Sequence, residues 1–316
     1  MESKSFISII VPVFNEQENV RKFHDRLVRV VANLSDQFDF EFIFTDNHST
    51  DDTFSVLEKI AEVDSRVKVL RFTKNFGFQA SILTGYQNAS GEAVVQIDCD
   101  LQDPPELIAE FLAKWQEGYQ VIYGIRRSRQ EGTIINWLRS VFYKMIDKLA
   151  EDPLLHDAGD FRLIDRKVID ILKEVDDRHP YLRGMIAAFG FEQIGIPYDR
   201  DQRKYGESKF SFFSLISLAL DGILYHSITP LRIASISGLV MAMLTLCGII
   251  FYFVSRFWFG ADWPEGFATT TVLILFSITL NALFLGIIGE YLGRIYQQLK
   301  RRPLSIVEQK LNFDAE

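Results

Sequence analysis

The chain lacks features that define several common protein classes. Its 316 residues include only two cysteines, Cys99 and Cys247, which are too few for a disulfide framework or a zinc site. The net charge of −8 argues against nucleic acid as the main partner, because proteins that bind a phosphate backbone carry a basic stripe. Nothing at the N-terminus resembles a signal peptide, so we expect the N-terminal part to stay in the cytosol.

Two common nucleotide-binding motifs are also absent. No Gly-x-Gly-x-x-Gly follows the first apolar run, and the chain contains no Walker-type Gly-Lys-Ser/Thr. These absences argue against a dinucleotide-binding fold and against a P-loop. A nucleotide held through carboxylates and a metal ion stays compatible with the sequence.

Apolar runs alternate with helical patterns in the first part of the chain. We predict strands at 6–14, 38–45, 67–72, 93–97 and 120–124, with a helix after each of the first four. Strands that alternate with helices indicate an α/β fold with a mostly parallel sheet covered by helices.

The predicted strands end in polar residues. In an open α/β sheet, ligands bind at the carboxyl ends of the strands, so these residues are expected to meet at one edge. The candidates for binding a nucleotide at this edge are Pro12, Asn15, Glu16, Asp46, Lys74, Asn75, Asp98 and Asp100.

The fourth strand ends in an acidic cluster. Asp98, Asp100 and Gln102 follow it directly, and Pro104 and Pro105 then open a helix. Hard oxygen ligands of this kind suit Mg²⁺ or Mn²⁺ bound together with a phosphorylated substrate. The alternative is a polar turn that caps the next helix.

Two clusters of basic residues are candidates for binding phosphate groups. The first, Arg126, Arg127 and Arg129, follows the fifth strand, where guanidinium groups would suit phosphate oxygens; a solvated charged face is the alternative. The second is a loop just before the chain turns apolar, and attraction to anionic lipid is the alternative there. It contains Arg200, Arg203, Ser208 and Lys209.

The last third of the chain predicts membrane association. The apolar spacing at 210–230 suits an amphipathic helix in the bilayer interface. No charged residue lies between Arg232 and Arg256 or between Glu265 and Glu290, and each span exceeds the ~20 residues that cross a bilayer. We therefore predict a cytosolic domain at 1–209, two transmembrane helices within 231–293 and a cytosolic tail at 294–316.

The distribution of charge predicts the orientation of these helices. Basic residues flank the predicted spans on the side of both termini, which places both termini in the cytoplasm. Asn281 in the second span is a candidate for hydrogen bonding between helices, and self-association through it would give a homo-oligomer.

Six motifs in order resemble one known family. They are Val-Pro-Val-Phe-Asn-Glu (11–16), Thr-Asp-Asn-His-Ser-Thr-Asp-Asp-Thr (45–53), Asn-Phe-Gly-Phe-Gln-Ala (75–80), Asp-Cys-Asp-Leu-Gln-Asp-Pro-Pro-Glu (98–106), Asp-Ala-Gly-Asp-Phe-Arg-Leu (157–163) and Gly-Glu-Ser-Lys-Phe (206–210). The chain is similar to glycosyltransferase family 2, which has the GT-A fold. Within it, the resemblance is to polyprenyl-phosphate glycosyltransferases of the bactoprenol glucosyltransferase and dolichyl-phosphate mannose synthase type.

The resemblance implies roles for individual residues. Pro12, Asn15, Glu16 and Asp46 would line the nucleotide pocket, with Asp46 facing the base. Asp98, Asp100 and Gln102 would hold the metal and the diphosphate. The basic loop would close over the diphosphate and the acceptor phosphate, with Arg200, Arg203, Ser208 and Lys209 as donors. The catalytic carboxylate would be Asp157, with Asp160 as the alternative. His48 stands where relatives often carry Gly, so a different backbone is expected there.

The resemblance also implies an activity. The expected reaction is inverting transfer of glucose from UDP-glucose to a polyprenyl phosphate such as undecaprenyl phosphate. GDP-mannose or a UDP-amino sugar is the alternative donor. A processive polysaccharide synthase would be expected to show more membrane spans and a Gln-x-x-Arg-Trp motif, neither of which is found, and a non-catalytic membrane scaffold is the remaining alternative.

Overall fold

The computed structural model describes residues 4–127, 158–175, 180–199, 229–259, 266–300 and 303–313. The chain divides into two compact units. The first holds every described residue before 200 together with 303–313, and the second holds 229–259 and 266–300. The predicted interface helix at 210–230 lies almost entirely outside the described residues.

The first unit contains eight strands and six α-helices within the described ranges. The strands are β1 (Ser5–Val13), β2 (Phe38–Asp46), β3 (Val67–Phe72), β4 (Ala93–Gln96), β5 (Val121–Arg126), β6 (Ala158–Asp165), β7 (Gln193–Tyr198) and β8 (Val307–Leu311). The helices are α1 (Val20–Ala32), α2 (Thr53–Val63), α3 (Phe78–Asn88), α4 (Ile108–Gln116), α5 (Arg166–Glu174) and α6 (Leu182–Ala188). A short 3-10 helix, Pro105–Leu107, precedes α4.

The strands form a single sheet in the order β7-β5-β6-β4-β1-β2-β3-β8. The pairs β1–β2, β1–β4, β2–β3 and β5–β7 are parallel. Strand β6 runs antiparallel to both β4 and β5, and β8 runs antiparallel to β3. Because β6 is reversed, it begins at the edge of the sheet where β4 ends.

Both faces of the sheet are buried under helices. Successive residues of β1 alternate between the two cores: Ile9 packs with residues of α1, α2 and α4, and Ile10 packs with residues of α3, α5 and α6. This three-layer arrangement explains why the strands read as nearly continuous apolar runs. The predicted strands and the mostly parallel sheet are confirmed.

The sequence did not predict three strands. Strand β6 pairs between β4 and β5, β7 pairs with β5 at one edge of the sheet, and β8 lies at the other edge. Within the predicted cytosolic tail at 294–316, Val307–Leu311 is a strand of the first unit. Hydrogen bonding to the open edge of β3 gives this polar segment its structure.

A buried ion pair stabilises the start of β2. Glu41, whose side chain is 2% exposed, accepts hydrogen bonds from the Ser8 hydroxyl and the Ser90 backbone N–H, and Lys68 Nζ lies 2.8 Å from its Oε2. Burial alone would raise the pKa of Glu41, but the hydrogen bonds from Lys68, Ser8 and Ser90 outweigh it and hold that pKa below its usual value.

We expect Glu41→Gln to lower the free energy of unfolding at pH 7 by about 2 kcal/mol, because it leaves Lys68 without its buried partner. A lowered folded-state pKa stabilises the protein above the unfolded pKa, near ~4.3, and this stabilisation is lost as the pH falls. The difference between the two proteins should therefore shrink below that pH. Thermal unfolding of both proteins from pH 7 to about pH 2.5 measures this, and a difference that stays constant below the unfolded pKa would contradict the assignment.

The second unit contains two long apolar helices, α7 (Thr229–Phe259) and α8 (Phe267–Leu299). Each contains a stretch, Leu231–Gly248 and Phe276–Gly293, that is long and apolar enough to cross a membrane. The two helices touch where the Phe284 ring lies beside Gly238. Many of their apolar side chains are exposed, such as Leu239 and Phe276, which is typical of surfaces that face lipid or a partner.

Asn281 is exposed on α8, and its amide donates to the Ser277 carbonyl of the same helix at 2.9 Å. Self-association through this residue stays a prediction.

Candidate active site

The candidate site lies at the edge of the sheet where β1, β2, β3 and β4 end. The register pairs Val13 with Asp46 and Asp46 with Arg71, so the ends of β1, β2 and β3 are level. Strand β6 begins at the same edge, because Gln96 at the end of β4 pairs with Arg162. The predicted convergence of polar residues at one edge therefore follows from the strand register.

Side-chain hydrogen bonds join the loops after β1 and β2. The Asn15 backbone N–H donates to the Ser49 hydroxyl at 3.0 Å, and Asn15 Oδ1 accepts from the Thr50 N–H at 2.8 Å. The Glu16 N–H donates to the Thr53 hydroxyl at 2.8 Å. Asn15 itself adopts φ 56°, a left-handed conformation that Asn tolerates better than most residues. These contacts hold the two loops as one rigid wall of the site.

Asp46 is a fully buried carboxylate at the end of β2. Its Oδ1 accepts from the Ser49 N–H at 3.0 Å, whereas its Oδ2 accepts no hydrogen bond from the described residues. Burial raises the pKa of Asp46, although the Ser49 hydrogen bonds and the charges of Arg71 and His48 oppose the rise. An incompletely satisfied buried oxygen is costly, so it indicates a place where a ligand donates.

Arg71 lies beside Asp46 and was not among the residues predicted for the site. Its Nε is 3.9 Å from Asp46 Oδ2, and its guanidinium stacks on the Phe54 ring with Cζ 4.1 Å from the ring centroid. Asp46 and Arg71 thus offer an acceptor and a donor side by side. The signal in the sequence was a cation near the carboxyl end of β3, one of two in that apolar run.

His48 adopts the backbone conformation that glycine favours. Its φ is 61°, and its Nδ1 lies 2.9 Å from the Phe72 carbonyl oxygen. The side chain therefore secures a left-handed backbone that would otherwise be unfavourable for a residue with a Cβ.

The acidic loop after β4 places its carboxylates around one core thiol. Cys99 is buried, and burial together with the negative charges of Glu16, Asp98 and Asp100 raises the pKa of its thiol. Those three carboxylates therefore act on the same thiol. Asp98 and Asp100 are partly exposed, and Leu101 adopts φ 62°, a strained turn of the kind found at functional sites.

Some carboxylate oxygens of the acidic loop accept hydrogen bonds from residues of the same segment. Asp98 Oδ1 accepts from Gln96 Nε2 at 3.3 Å, and Asp100 Oδ1 accepts from the Gln102 N–H at 3.0 Å.

Asp103 anchors the loop to the sheet. It is 1% exposed, and the Tyr198 hydroxyl donates to its Oδ1 at 2.6 Å. Arg126 Nη2 lies 3.7 Å from Asp103 Oδ2, and Arg126 Nε donates to the Tyr198 hydroxyl at 3.4 Å. Burial lowers the pKa of Arg126, but the hydrogen bond to Tyr198 and the charges of Asp103 and Asp98 outweigh burial, so the pKa lies above its usual value. Arg126 therefore stays charged beside the acidic loop. Arg127 forms an exposed ion pair with Asp199 at 3.5 Å.

Lys74 and Asn75 follow β3, and their described contacts are local. The Lys74 ammonium lies 5.0 Å from the centroid of the Phe76 ring, and Asn75 Oδ1 accepts from the Gly77 N–H at 2.8 Å. Asn47 Oδ1 accepts from the Phe76 N–H at 2.8 Å, which ties this turn to the end of β2. Asn75 thus shapes the turn that starts α3.

Asp160 lies between two guanidinium groups near the start of β6. Its Oδ1 is 3.1 Å from Arg183 Nε and 4.0 Å from Arg162 Nη2. Burial lowers the pKa of Arg162, and the neighbouring Arg183 lowers it too, while Tyr86 and Asp160 oppose this. The sequence did not predict these arginine partners, because they depend on the position of α6 relative to β6.

We expect Asp160→Asn to lower the free energy of unfolding by about 2 kcal/mol, because it leaves the buried Arg162 charge without its carboxylate. Asp170→Asn is the matched control: it removes an exposed carboxylate that lies 3.8 Å from Arg166, and we expect a loss of about 0.5 kcal/mol or less. Thermal unfolding of both variants compares them. Equal losses would show that the pairing of Asp160 is not structural.

Six predicted site residues lie outside the described residues. They are Asp157, Arg129, Arg200, Arg203, Ser208 and Lys209. Asp157 immediately precedes β6 in the sequence.

The donor set at the acidic loop suits a hard divalent cation. The oxygens of Asp98, Asp100 and Gln102 are hard ligands, and the one soft ligand nearby, Cys99, is kept protonated and packs in the core. Within the described ranges, no three His, Cys, Asp or Glu side chains form a group that could hold a metal by themselves. Mg²⁺ commonly uses one or two carboxylates and completes its shell with water and substrate phosphates, so the residues fit that mode.

Comparison with known proteins identifies the family. The sequence profile described as "Glycosyl transferase family 2" matches residues 8–172. An uncharacterized glycosyltransferase of Synechocystis sp. is 37% identical over 302 residues, which cover 95% of this chain and 94% of the relative. A SfII prophage-derived bactoprenol glucosyl transferase of Shigella flexneri is 34% identical over 303 residues, which cover 96% of this chain and 97% of the relative.

Among solved structures, a mannosyltransferase from Pyrobaculum calidifontis in complex with GDP-Man and Mn²⁺ aligns with 90% of this chain and 88% of its own. That alignment has 18% identity and a TM-score of 0.46. The profile match spans more than half of this chain, and the sequence relatives match it over nearly their whole length. The chain therefore belongs to glycosyl transferase family 2 and has its GT-A-like α/β fold.

Proposed function

We propose that the protein transfers glucose from UDP-glucose to a polyprenyl phosphate, such as undecaprenyl phosphate, with inversion at the anomeric carbon. The observation that carries this proposal is the likeness to bactoprenol glucosyl transferases, which extends over 96% of this chain and so includes both the transferase domain and the apolar helices. The acceptor phosphate oxygen forms the new bond to the anomeric carbon. The bond from that carbon to the diphosphate breaks, and UDP leaves.

The base of the donor would bind at Asp46 and Arg71. Uracil presents an N–H next to a carbonyl oxygen, which matches the free Oδ2 of Asp46 and the adjacent Arg71 guanidinium. Guanine presents the same pair of groups, so GDP-mannose is the rival donor, with a UDP-amino sugar as a further alternative. Pro12, Asn15 and Glu16 would line the pocket, and Lys74 and Asn75 would close its side.

The diphosphate would lie against the acidic loop. Asp98, Asp100 and Gln102 would hold Mg²⁺ or Mn²⁺ together with the diphosphate oxygens. When bound, the ion supplies neutralisation of the charge that develops on the departing diphosphate. Arg126, which Tyr198 and Asp103 orient, contributes a fixed positive charge at the same loop. Arg127 and Arg129 would add positive charge beside it.

The acceptor phosphate would be oriented by Asp157. A phosphate monoester has a second pKa near ~6, so at neutral pH it already carries the nucleophilic oxygen and needs little deprotonation. We favour Asp157 over Asp160 because Asp160 is engaged by Arg162 and Arg183. Arg200, Arg203, Ser208 and Lys209 would hold the acceptor and diphosphate as donors of hydrogen bonds.

The apolar helices would anchor the enzyme in the plasma membrane. Helices α7 and α8 would cross the bilayer as a hairpin, with the transferase domain and both termini in the cytoplasm. The head group of a polyprenyl phosphate lies at the membrane interface, so anchoring keeps the active site at the height of its acceptor. Association of these helices between copies is part of the same proposal.

One experiment tests the function directly. Membranes that contain the full chain are incubated with radiolabelled UDP-glucose and undecaprenyl phosphate, with and without EDTA. We expect an organic-extractable, acid-labile and alkali-stable product that EDTA abolishes. If label is transferred only from GDP-mannose or from a UDP-amino sugar, that nucleotide sugar is the donor instead of UDP-glucose. Label in a polymer would indicate a processive synthase. No transfer from any of these donors would overturn the proposal.

We expect Asp46→Asn to weaken UDP binding about a hundredfold. The amide oxygen of the new side chain keeps the hydrogen bond from the Ser49 N–H, so its NH₂ group faces the base and opposes the uracil N3–H as donor against donor. Cytosine has an acceptor at N3, so the preference should shift toward CDP. Titration calorimetry with UDP and CDP measures this shift. Unchanged selectivity would show that Asp46 does not face the base.

The same variant should not be less stable than the wild type. Burial raises the pKa of Asp46, so the ionised carboxylate costs stability, and a neutral amide removes that cost. Thermal unfolding separates this loss of binding from a loss of fold.

A further inference from the structure

The C-terminal strand borders the proposed base pocket. Strand β8 follows the two apolar helices in the chain, yet it pairs with β3 at the edge of the transferase sheet. Asp46, Arg71 and Gln309 are in register across β2, β3 and β8. The last strand of the chain therefore lies directly beside Arg71.

A β-bulge in this strand turns one carboxylate toward the pocket. Arg71 pairs with Gln309 and Phe72 pairs with Val307, so Glu308 is the extra, unpaired residue between them. Bulges of this kind re-aim side chains and are common next to active sites. Glu308 Oε2 lies 3.9 Å from Arg71 Nε and 3.9 Å from His48 Nδ1.

Arg71 is held between two carboxylates without bonding fully to either. Its Nε is 3.9 Å from both Asp46 Oδ2 and Glu308 Oε2, and this nitrogen donates no hydrogen bond within the part of the chain that the structure describes. Stacking on the Phe54 ring fixes the plane of the guanidinium. The two attractions act from different strands on the same cation.

We propose that Glu308 is a positioning residue for nucleobase recognition. It draws Arg71 away from Asp46, so that Asp46 Oδ2 stays available to the N–H of the base and Arg71 stays available to the adjacent carbonyl oxygen. Without Glu308, the Arg71 guanidinium would close the 3.9 Å gap and bond to Asp46. Neither the Asp46 carboxylate nor the Arg71 guanidinium would then be available to the base. This inference rests on the proposed nucleotide-sugar site.

The alternative role for Glu308 is protection of the sheet edge. Charged residues on edge strands discourage pairing with other chains, and Glu308 is exposed. That role predicts no effect on nucleotide binding. The two roles therefore differ in what Glu308→Gln does to affinity.

The test uses the full chain in detergent micelles, with UDP as the titrated probe. We expect Glu308→Gln to raise the Kd for UDP about two- to fivefold, the range that a partly exposed ion pair contributes. The KM for the sugar nucleotide should rise equally while kcat is unchanged, because the contact is remote from the reacting carbon. Glu308→Asp should recover part of the affinity. Lys310→Gln, which removes a different charge from the same strand, should change nothing.

A double-mutant cycle tests whether Glu308 acts through Arg71. In an Arg71→Ala background, Glu308→Gln should have no further effect on the Kd for UDP. An unchanged Kd in the single variant, or additive effects in the cycle, would overturn the inference while leaving the proposed function intact. A wild-type chain that binds neither UDP nor GDP would overturn the proposed function and this inference together.

Discussion

Replacing Asp100 by Asn should lower the rate of glucosyl transfer about a thousandfold and leave the fold unchanged. The Asn side chain keeps an oxygen that can accept the Gln102 N–H, so the acidic loop retains its local hydrogen bond. What is lost is the negative charge that would hold a divalent cation against the diphosphate. Losses of this size are typical when one preorganised electrostatic contact to the transition state is removed.

The control for this variant is Asp39→Asn. Asp39 is an exposed carboxylate near the start of β2, at the opposite end of that strand from the site, so its removal should not change the rate. Raising the Mn²⁺ concentration should recover part of the activity of Asp100→Asn, because the defect is in metal affinity. Full activity of the variant in the presence of EDTA would contradict a metal role for Asp100.

The sequence predicted the central part of the fold because its strands are buried on both faces. Apolar runs such as Val67–Phe72 can be assigned as strands from the local sequence, without knowing which strands lie beside them in the sheet. Strand β8 gave no such signal, because Val307–Leu311 has three polar residues in the middle and becomes a strand only by pairing with β3. That pairing joins segments more than 230 residues apart along the chain.

The residues of the site also divide into those that the local sequence predicts and those that depend on the order of the strands. Polar residues at strand ends, such as Asp46 and Asp100, were predictable because parallel strands present their carboxyl ends at one edge. The roles of Arg71 and Asp103 depend on which strand lies next to which, because Arg71 meets Asp46 only through the β2–β3 register and Asp103 meets Tyr198 only through β7. Strand order and side-chain pairing at long range are not encoded in local periodicity.

Deleting residues 303–316 should destabilise the transferase domain by about 5 kcal/mol or more, the sum expected for one edge strand, its packing and its side-chain hydrogen bonds. Strand β8 pairs with β3, and Leu304, Val307, Leu311 and Phe313 pack against the two cores. Thermal unfolding of the purified full chain and of the deletion variant measures the loss, which should lower the midpoint by roughly 10 °C for a domain of this size.

The loss should have two separable causes. Asn312 Nδ2 donates to the Ala61 and Val67 carbonyl oxygens at 2.8 Å each, so Asn312→Ala should reproduce about 2 kcal/mol of it. The rest comes from losing the apolar packing of this segment and from opening the edge of β3, and an unpaired edge promotes pairing between chains. The deletion variant should therefore also aggregate as its concentration rises, whereas Asn312→Ala should not. A deletion variant that unfolds at the wild-type temperature would show that β8 adds nothing to the sheet, because neither its backbone pairing nor its apolar contacts would then contribute to stability.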